Sequence, residues 1–107
     1  MLTKSKRLRA AEVEQVMKTG RSARSLHLQV KFVPMAAPLR SAAVVPKSLA
    51  RKAVARNTLR RALYRALGAQ NMAHLKGNAV FFVRAVPKER PAALFAEELI
   101  QLLAKLS

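Results

Sequence analysis

"ARKAVARNTLRRALYRAL", residues Ala50 to Leu67, decides how this chain is read. It holds no Pro or Gly before Gly68 and is rich in Ala, Leu and Arg, which predicts a helix stopped at Gly68. Yet the stretch carries six Lys/Arg and no acid. Like charges four residues apart on a helix repel, by about a few tenths of a kcal/mol per pair. Here Lys52, Arg56 and Arg60 form one such row, and Arg61 and Arg65 another. A partner outside the helix must offset that repulsion.

At about 100° per residue, Ala55, Leu59, Ala62, Leu63 and Ala66 gather in one arc and form the expected core-facing stripe. The opposite side presents Arg56, Asn57, Arg60, Arg61, Tyr64 and Arg65, with Arg51 and Lys52 at its margins. Guanidinium groups bind phosphate in a planar fork and stack on bases. An asparagine can donate and accept toward a base edge or a 2′-hydroxyl. A tyrosine among cations offers a stacking surface. A purely solvating face would interleave Glu among its cations, and this one does not. The helix therefore reads as an RNA- or DNA-binding face.

Working outward, the whole chain is basic: 21 Lys+Arg against 5 Asp+Glu give a net charge of +16 over 107 residues. Such an excess destabilises a compact state by self-repulsion and points to a polyanionic partner, nucleic acid before an anionic membrane surface. The apolar share of 51% is too high for a disordered chain. Its length suits a single domain, residues 1–107, with a basic and mobile segment over 1–9. There is no Cys, so disulfides and Cys-based zinc sites are excluded. No apolar run approaches the roughly 20 residues of a membrane span, and the basic N-terminus lacks a secretory apolar stretch. A cytoplasmic protein is expected.

The remaining elements follow from periodicity. Val13, Val16 and Met17 recur at helical spacing between about Ala10 and Thr19, with Gly20 as the stop. "SLHLQVKF" alternates: Leu26, Leu28, Val30 and Phe32 point one way, His27, Gln29 and Lys31 the other, which predicts a strand. "PMAAPLR", with two prolines, reads as a loop, and Ser41 to Pro46 as a second strand, antiparallel to the first if that loop is a simple reversal. "NAVFFVRAVP", Asn78 to Pro87, reads as a strand covered on both faces. A last helix runs from Pro91 to Leu106, with Phe95, Leu99, Leu102, Leu103 and Leu106 in one stripe. The expected class is α+β: a single-domain α-β sandwich in the order α-β-β-α-β-α, with an optional short strand at Arg21 to Ser25 and a split βαβ unit.

The basic stretch resembles the signature of the bacterial ribonuclease P protein component, A-V-x-R-N-x-x-K-R-x-x-R on a long helix. Ala53, Val54, Arg56, Asn57, Arg60 and Arg61 fill it, Arg60 standing where the family usually has Lys, and Arg65 is read as its last arginine. The flanks are similar as well. Arg7, Leu8, Val16 and Gly20 match the family's opening, "VVPKSLARKAV" its strand leading into the helix, and Arg84 the arginine that ends its last strand. Two departures stand out. Val13 and Met17 occupy usually aromatic positions, and Pro46 replaces a serine in a turn one residue longer, so Lys47, Arg51 and Lys52 transfer only loosely.

The resemblance implies a left-handed βαβ crossover, against the right-handed default. It also implies a function: the protein subunit of a ribonucleoprotein that removes the 5′ leader from precursor tRNA. Arg51, Lys52, Arg56, Asn57, Arg60, Arg61, Tyr64 and Arg65 would bind the catalytic RNA. Arg7, Arg9, Val13, Met17, His27, Gln29, Lys31 and Arg84 are candidates for a cleft receiving the single-stranded leader, and which face of the 26–32 strand lines it stays open. Mg2+ would be held mainly by the RNA subunit, with no organic cofactor, no membrane and no obligate protein partner.

No catalytic set is legible in the chain itself. A metal-dependent nuclease needs clustered carboxylates, and there is no Asp, with all Glu near the two ends. A metal-free ribonuclease wants paired histidines, and nothing brings His27 and His74 together. Neither catalytic nor metal-ligating residues are therefore assigned. The alternative reading is a small structural RNA-binding protein of ribosomal type, which the signature helix disfavours.

Overall fold

The structure is a computed structural model that describes residues 7–70, 72 and 75–106. His74 and positions 1–6 of the basic N-terminal segment lie outside the described residues. In chain order the elements are α1 (Ala10–Thr19), β1 (Arg21–Arg24), β2 (Leu28–Pro38), β3 (Arg40–Val44), α2 (Ala53–Gly68), β4 (Lys76–Val83) and α3 (Pro91–Leu106). The strands form one mixed sheet in the order β1-β2-β4-β3. This is the α+β sandwich the pattern predicts, with the optional strand at Arg21 present.

The sheet order corrects one expectation. β3 does not pair with β2; β4 inserts between them, antiparallel to β2 and parallel to β3. The β3–α2–β4 connection is thus the parallel unit that needs a helical crossover. "PMAAPLR" is not a simple loop either. β2 continues to Pro38, with a register shift between Pro34 and Pro38 where it faces Gly77 and Lys76. Gly77 has φ +133 and an added Cβ would lie 2.1 Å from the Val33 carbonyl oxygen, so only glycine fits against this irregularity.

Strand alternation separates two faces. On one, Leu28, Val30 and Phe32 of β2 and Ala79, Phe81 and Val83 of β4 are buried against Leu59, Leu63 and Leu67 of α2 and Phe95, Leu99 and Leu102 of α3. This is the main core. Each fully buried Leu or Phe there contributes roughly 1.5–3 kcal/mol of transfer free energy. On the other face α1 buries Val16, with Ala42 and Val80 also buried. Gly20 ends α1 in an extended conformation, close enough to β2 that a Cβ would meet the Val16 oxygen at 2.7 Å and the Phe32 nitrogen at 3.0 Å.

Several side chains depart from the periodic reading. Leu26 precedes β2 and is exposed, and α2 starts at Ala53 rather than Ala50. Val54 and Ala55 in its first turn are exposed, so Ala55 is not part of the core stripe. The last strand ends at Val83, short of Pro87. Arg7 and Leu8 of the basic N-terminal stretch are held against β3: Arg7 bridges Ser41 and the Leu8 N–H donates to the Ser41 carbonyl at 2.9 Å.

Candidate nucleic-acid interface

The outward side of α2 holds most of the expected RNA-binding set together. Arg51, Lys52, Asn57, Arg60, Arg61 and Arg65 are exposed. Among the described residues no acid pairs with any cation of this face; the ion pairs are Lys18–Glu14, His27–Glu98 and Arg40–Glu12. Arg60 donates to the Asn57 side-chain oxygen, which orients both groups on the exposed surface. Arg56 is different. Its guanidinium donates to the Ala50 and Arg51 carbonyls at 3.0 and 2.7 Å, fixing the chain that enters the helix.

Tyr64 is half-buried rather than displayed. Its hydroxyl accepts from the Ala43 N–H at 3.3 Å, and the Arg7 guanidinium lies 5.2 Å from the ring centroid. This bears on the signature. In R-N-x-x-K-R-x-x-R the last arginine falls three residues after Arg61, on Tyr64, whereas Arg65 comes one position later. Arg65 is therefore not that arginine. The cation stacked on Tyr64 instead arrives from the N-terminal segment.

The α1 face holds only part of the expected cleft. Gln29 and Lys31 project on the side opposite the buried Leu28, Val30 and Phe32, so this is the face that α1 covers. Lys31 donates to the Met17 carbonyl at 2.7 Å, a cation at the negative end of α1. Gln29 donates to the Ser22 hydroxyl at 2.7 Å. Val13 is half-buried and Met17 exposed, while Arg9 is exposed at the start of α1. The Glu12 carboxylate accepts from the Arg9 N–H at 3.0 Å and takes both arms of Arg40 at 2.6 and 2.8 Å. These hydrogen bonds, the Arg9 N–H foremost, outweigh partial burial and hold its pKa below the ordinary carboxylate value.

His27 does not join Gln29 and Lys31. It lies in the β1–β2 turn and its Nδ1 meets the Glu98 carboxylate of α3 at 2.7 Å. The same carboxylate accepts from the His27 N–H at 2.7 Å and from the Ser25 hydroxyl. Burial raises the Glu98 pKa, but Ser25 and His27 together prevail and leave it lowered. Arg84 stands beside the same turn, its guanidinium donating to the Ser25 carbonyl at 2.8 Å.

One residue on the α1 face escapes a sequence reading. Phe82 alternates away from Phe81 and Val83, is half-buried, and pairs across the sheet with Gln29 and Val44. The unbroken run "AVFFV" conceals that alternation. Counting odd and even positions from Ala79 would have found it.

Among the described residues no group of three or more His, Cys, Asp or Glu gathers to hold a metal ion, and no helix is long and apolar enough to cross a membrane. Three solved structures share the architecture. The Staphylococcus aureus RNase P protein aligns with TM-score 0.80 and 20% identity over 97% of each chain. An S. aureus RNase P protein mutant with defective mRNA degradation activity gives 0.80 and 21%, over 96% of this chain and 89% of that one. The RNase P protein from Thermotoga maritima gives 0.77 and 23%, over 94% and 97%. No protein with a curated description matches. The model of the Ribonuclease P family matches residues 2–107. With a basic helix, a sheet order and a sequence match that agree over nearly the whole length, the chain belongs to the Ribonuclease P family.

Proposed function

We propose that this chain is the protein subunit of a ribonucleoprotein that removes the 5′ leader from precursor tRNA in the cytoplasm. The acid-free outward face of α2 carries the reading: Arg60, Arg61 and Arg65 stand in solvent with no carboxylate paired to them among the described residues. A polyanion supplies the missing counter-charge, and membership of the Ribonuclease P family supports reading that polyanion as the catalytic RNA. The RNA holds the Mg2+ ions and performs the hydrolysis. The protein reduces repulsion between RNA subunit and substrate, strengthening substrate and Mg2+ binding.

The leader is received on the other face, between α1 and the side of β2 and β4 that carries Gln29, Lys31 and Phe82. Arg9, Val13, Met17, Gln29, Lys31 and Phe82 lie on this side. Phe82 supplies there an aromatic group that α1 lacks. His27, engaged with Glu98, positions the β1–β2 turn instead of touching the leader.

Affinity for the catalytic RNA, measured across salt concentrations, tests the docking face. About six phosphate contacts should give a log–log slope of roughly −4. Replacing Arg60, Arg61 and Arg65 by Ala should flatten that slope by about two units. An unchanged slope would place docking elsewhere.

A further inference from the structure

We propose that Arg90 completes a phosphate-binding subsite with Arg61 and Arg65, and that it takes one phosphodiester of an RNA backbone. A cavity of about 440 Å³ lies between α2 and the start of α3, lined by Arg61 and Arg65 from the helix and by Arg90, Ala92 and Ala93 from the other side. The inference rests on reading α2 as an RNA-docking face, and it extends that face onto a second element.

Three arginines, two on α2 and one just before α3, line one cavity, and no acidic residue lines it. None of the three pairs with an acid among the described residues. Three cations brought together without a counter-ion repel one another, and an anion of matching size reverses that term. Guanidinium forks select tetrahedral oxyanions, because each offers parallel N–H donors at the spacing of two phosphoryl oxygens. The neighbouring small side chains, Ala62, Ala92 and Ala93, leave room for the group to approach. The first turn of α3 adds a field of the same sign; the arginines select the ligand. A free phosphate ion shares this chemistry. The location favours RNA, since Arg61 and Arg65 belong to the face that the nucleic acid covers.

Arg90 itself has φ +48, a conformation uncommon for a non-glycine residue. Replacement by glycine therefore removes the guanidinium while suiting the backbone, which keeps the test independent of folding.

Catalytic-RNA affinity should be measured against salt for the wild type, Arg90→Gly, Arg90→Ala, Arg61→Ala and, as control, the exposed Lys88→Ala in the same loop. Both Arg90 variants should lose about tenfold in affinity and about one unit of slope. Lys88→Ala should match the wild type. If Arg61→Ala weakens binding and neither Arg90 variant does, the subsite is wrong and the docking face stands. If no variant matters, the docking reading itself fails. Inorganic phosphate, followed through the Ala92 and Ala93 amide signals, separates the two ligand sources. A response that Arg90→Gly abolishes, without any loss of RNA affinity in that variant, would assign the cavity to free phosphate and overturn the RNA assignment.

Discussion

His27 Nδ1 and the Glu98 carboxylate meet at 2.7 Å although 71 positions separate them, and they tie the β1–β2 turn to the middle of α3. Ser25 joins them, so both carboxylate oxygens are used. Glu98→Ala strands three donors at a buried site and should cost about 3 kcal/mol in denaturant unfolding. The pH dependence follows from the lowered folded-state pKa. This contribution is full above the ordinary carboxylate value of 4.5 and is lost as pH falls through the lower folded value. Urea midpoints from pH 7 down to pH 3 should therefore converge for wild type and Glu98→Gln on the acid side.

Arg56 and Arg61 both belong to the basic helix, yet they should behave differently when truncated. The Arg56 side chain is bonded to two carbonyls of the entering chain, whereas the Arg61 side chain is exposed and in none of the ion pairs among the described residues. Arg56→Ala should lower the Tm, with about 1–2 kcal/mol of stability lost. Arg61→Ala should leave the Tm within experimental error and weaken only RNA binding. Equal Tm values would show that the Arg56 bonds do not stabilise the fold.

Gly77 should tolerate no side chain. Its φ of +133 and the 2.1 Å approach of the Val33 oxygen to an added Cβ oppose Gly77→Ala both through the backbone and through sterics. The loss should exceed about 2 kcal/mol, read as a shifted urea midpoint. Gly68, at the end of α2, serves as the comparison and should change by far less.

Phe82 offers a readout specific to the leader. If bases stack on it, Phe82→Ala should reduce affinity for precursor tRNA about tenfold while affinity for mature tRNA, which has no leader, stays constant. A parallel loss for both substrates would mean that Phe82 only supports the sheet.

Much of this was legible in the sequence, for identifiable reasons. Pro91 and the Phe95–Leu106 stripe delimit α3, and Gly20 delimits α1, because breakers and 3.6-residue periodicity act locally. The partnership of β3 with β4 was not legible. Pairing across the α2 crossover depends on contacts far apart in sequence, whereas a hairpin is the local default. The prolines of "PMAAPLR" suggested a loop, but β2 carries Pro34 and Pro38 at a register shift where ladder bonding is already interrupted. His27 stands apart from Gln29 and Lys31 for a similar reason. Alternation placed it with Gln29 and Lys31, but β2 begins only at Leu28, and the buried carboxylate of Glu98 decides where the ring points.

Cleavage of a 5′-extended precursor tRNA at low Mg2+ concentration, with this protein alone, a bacterial ribonuclease P RNA alone, and the two mixed, tests whether the chain is the protein subunit of the ribonucleoprotein. Release of the leader at the mature 5′ end is expected in the mixture only. Cleavage by the protein alone, or a mixture no better than the RNA alone, would contradict it.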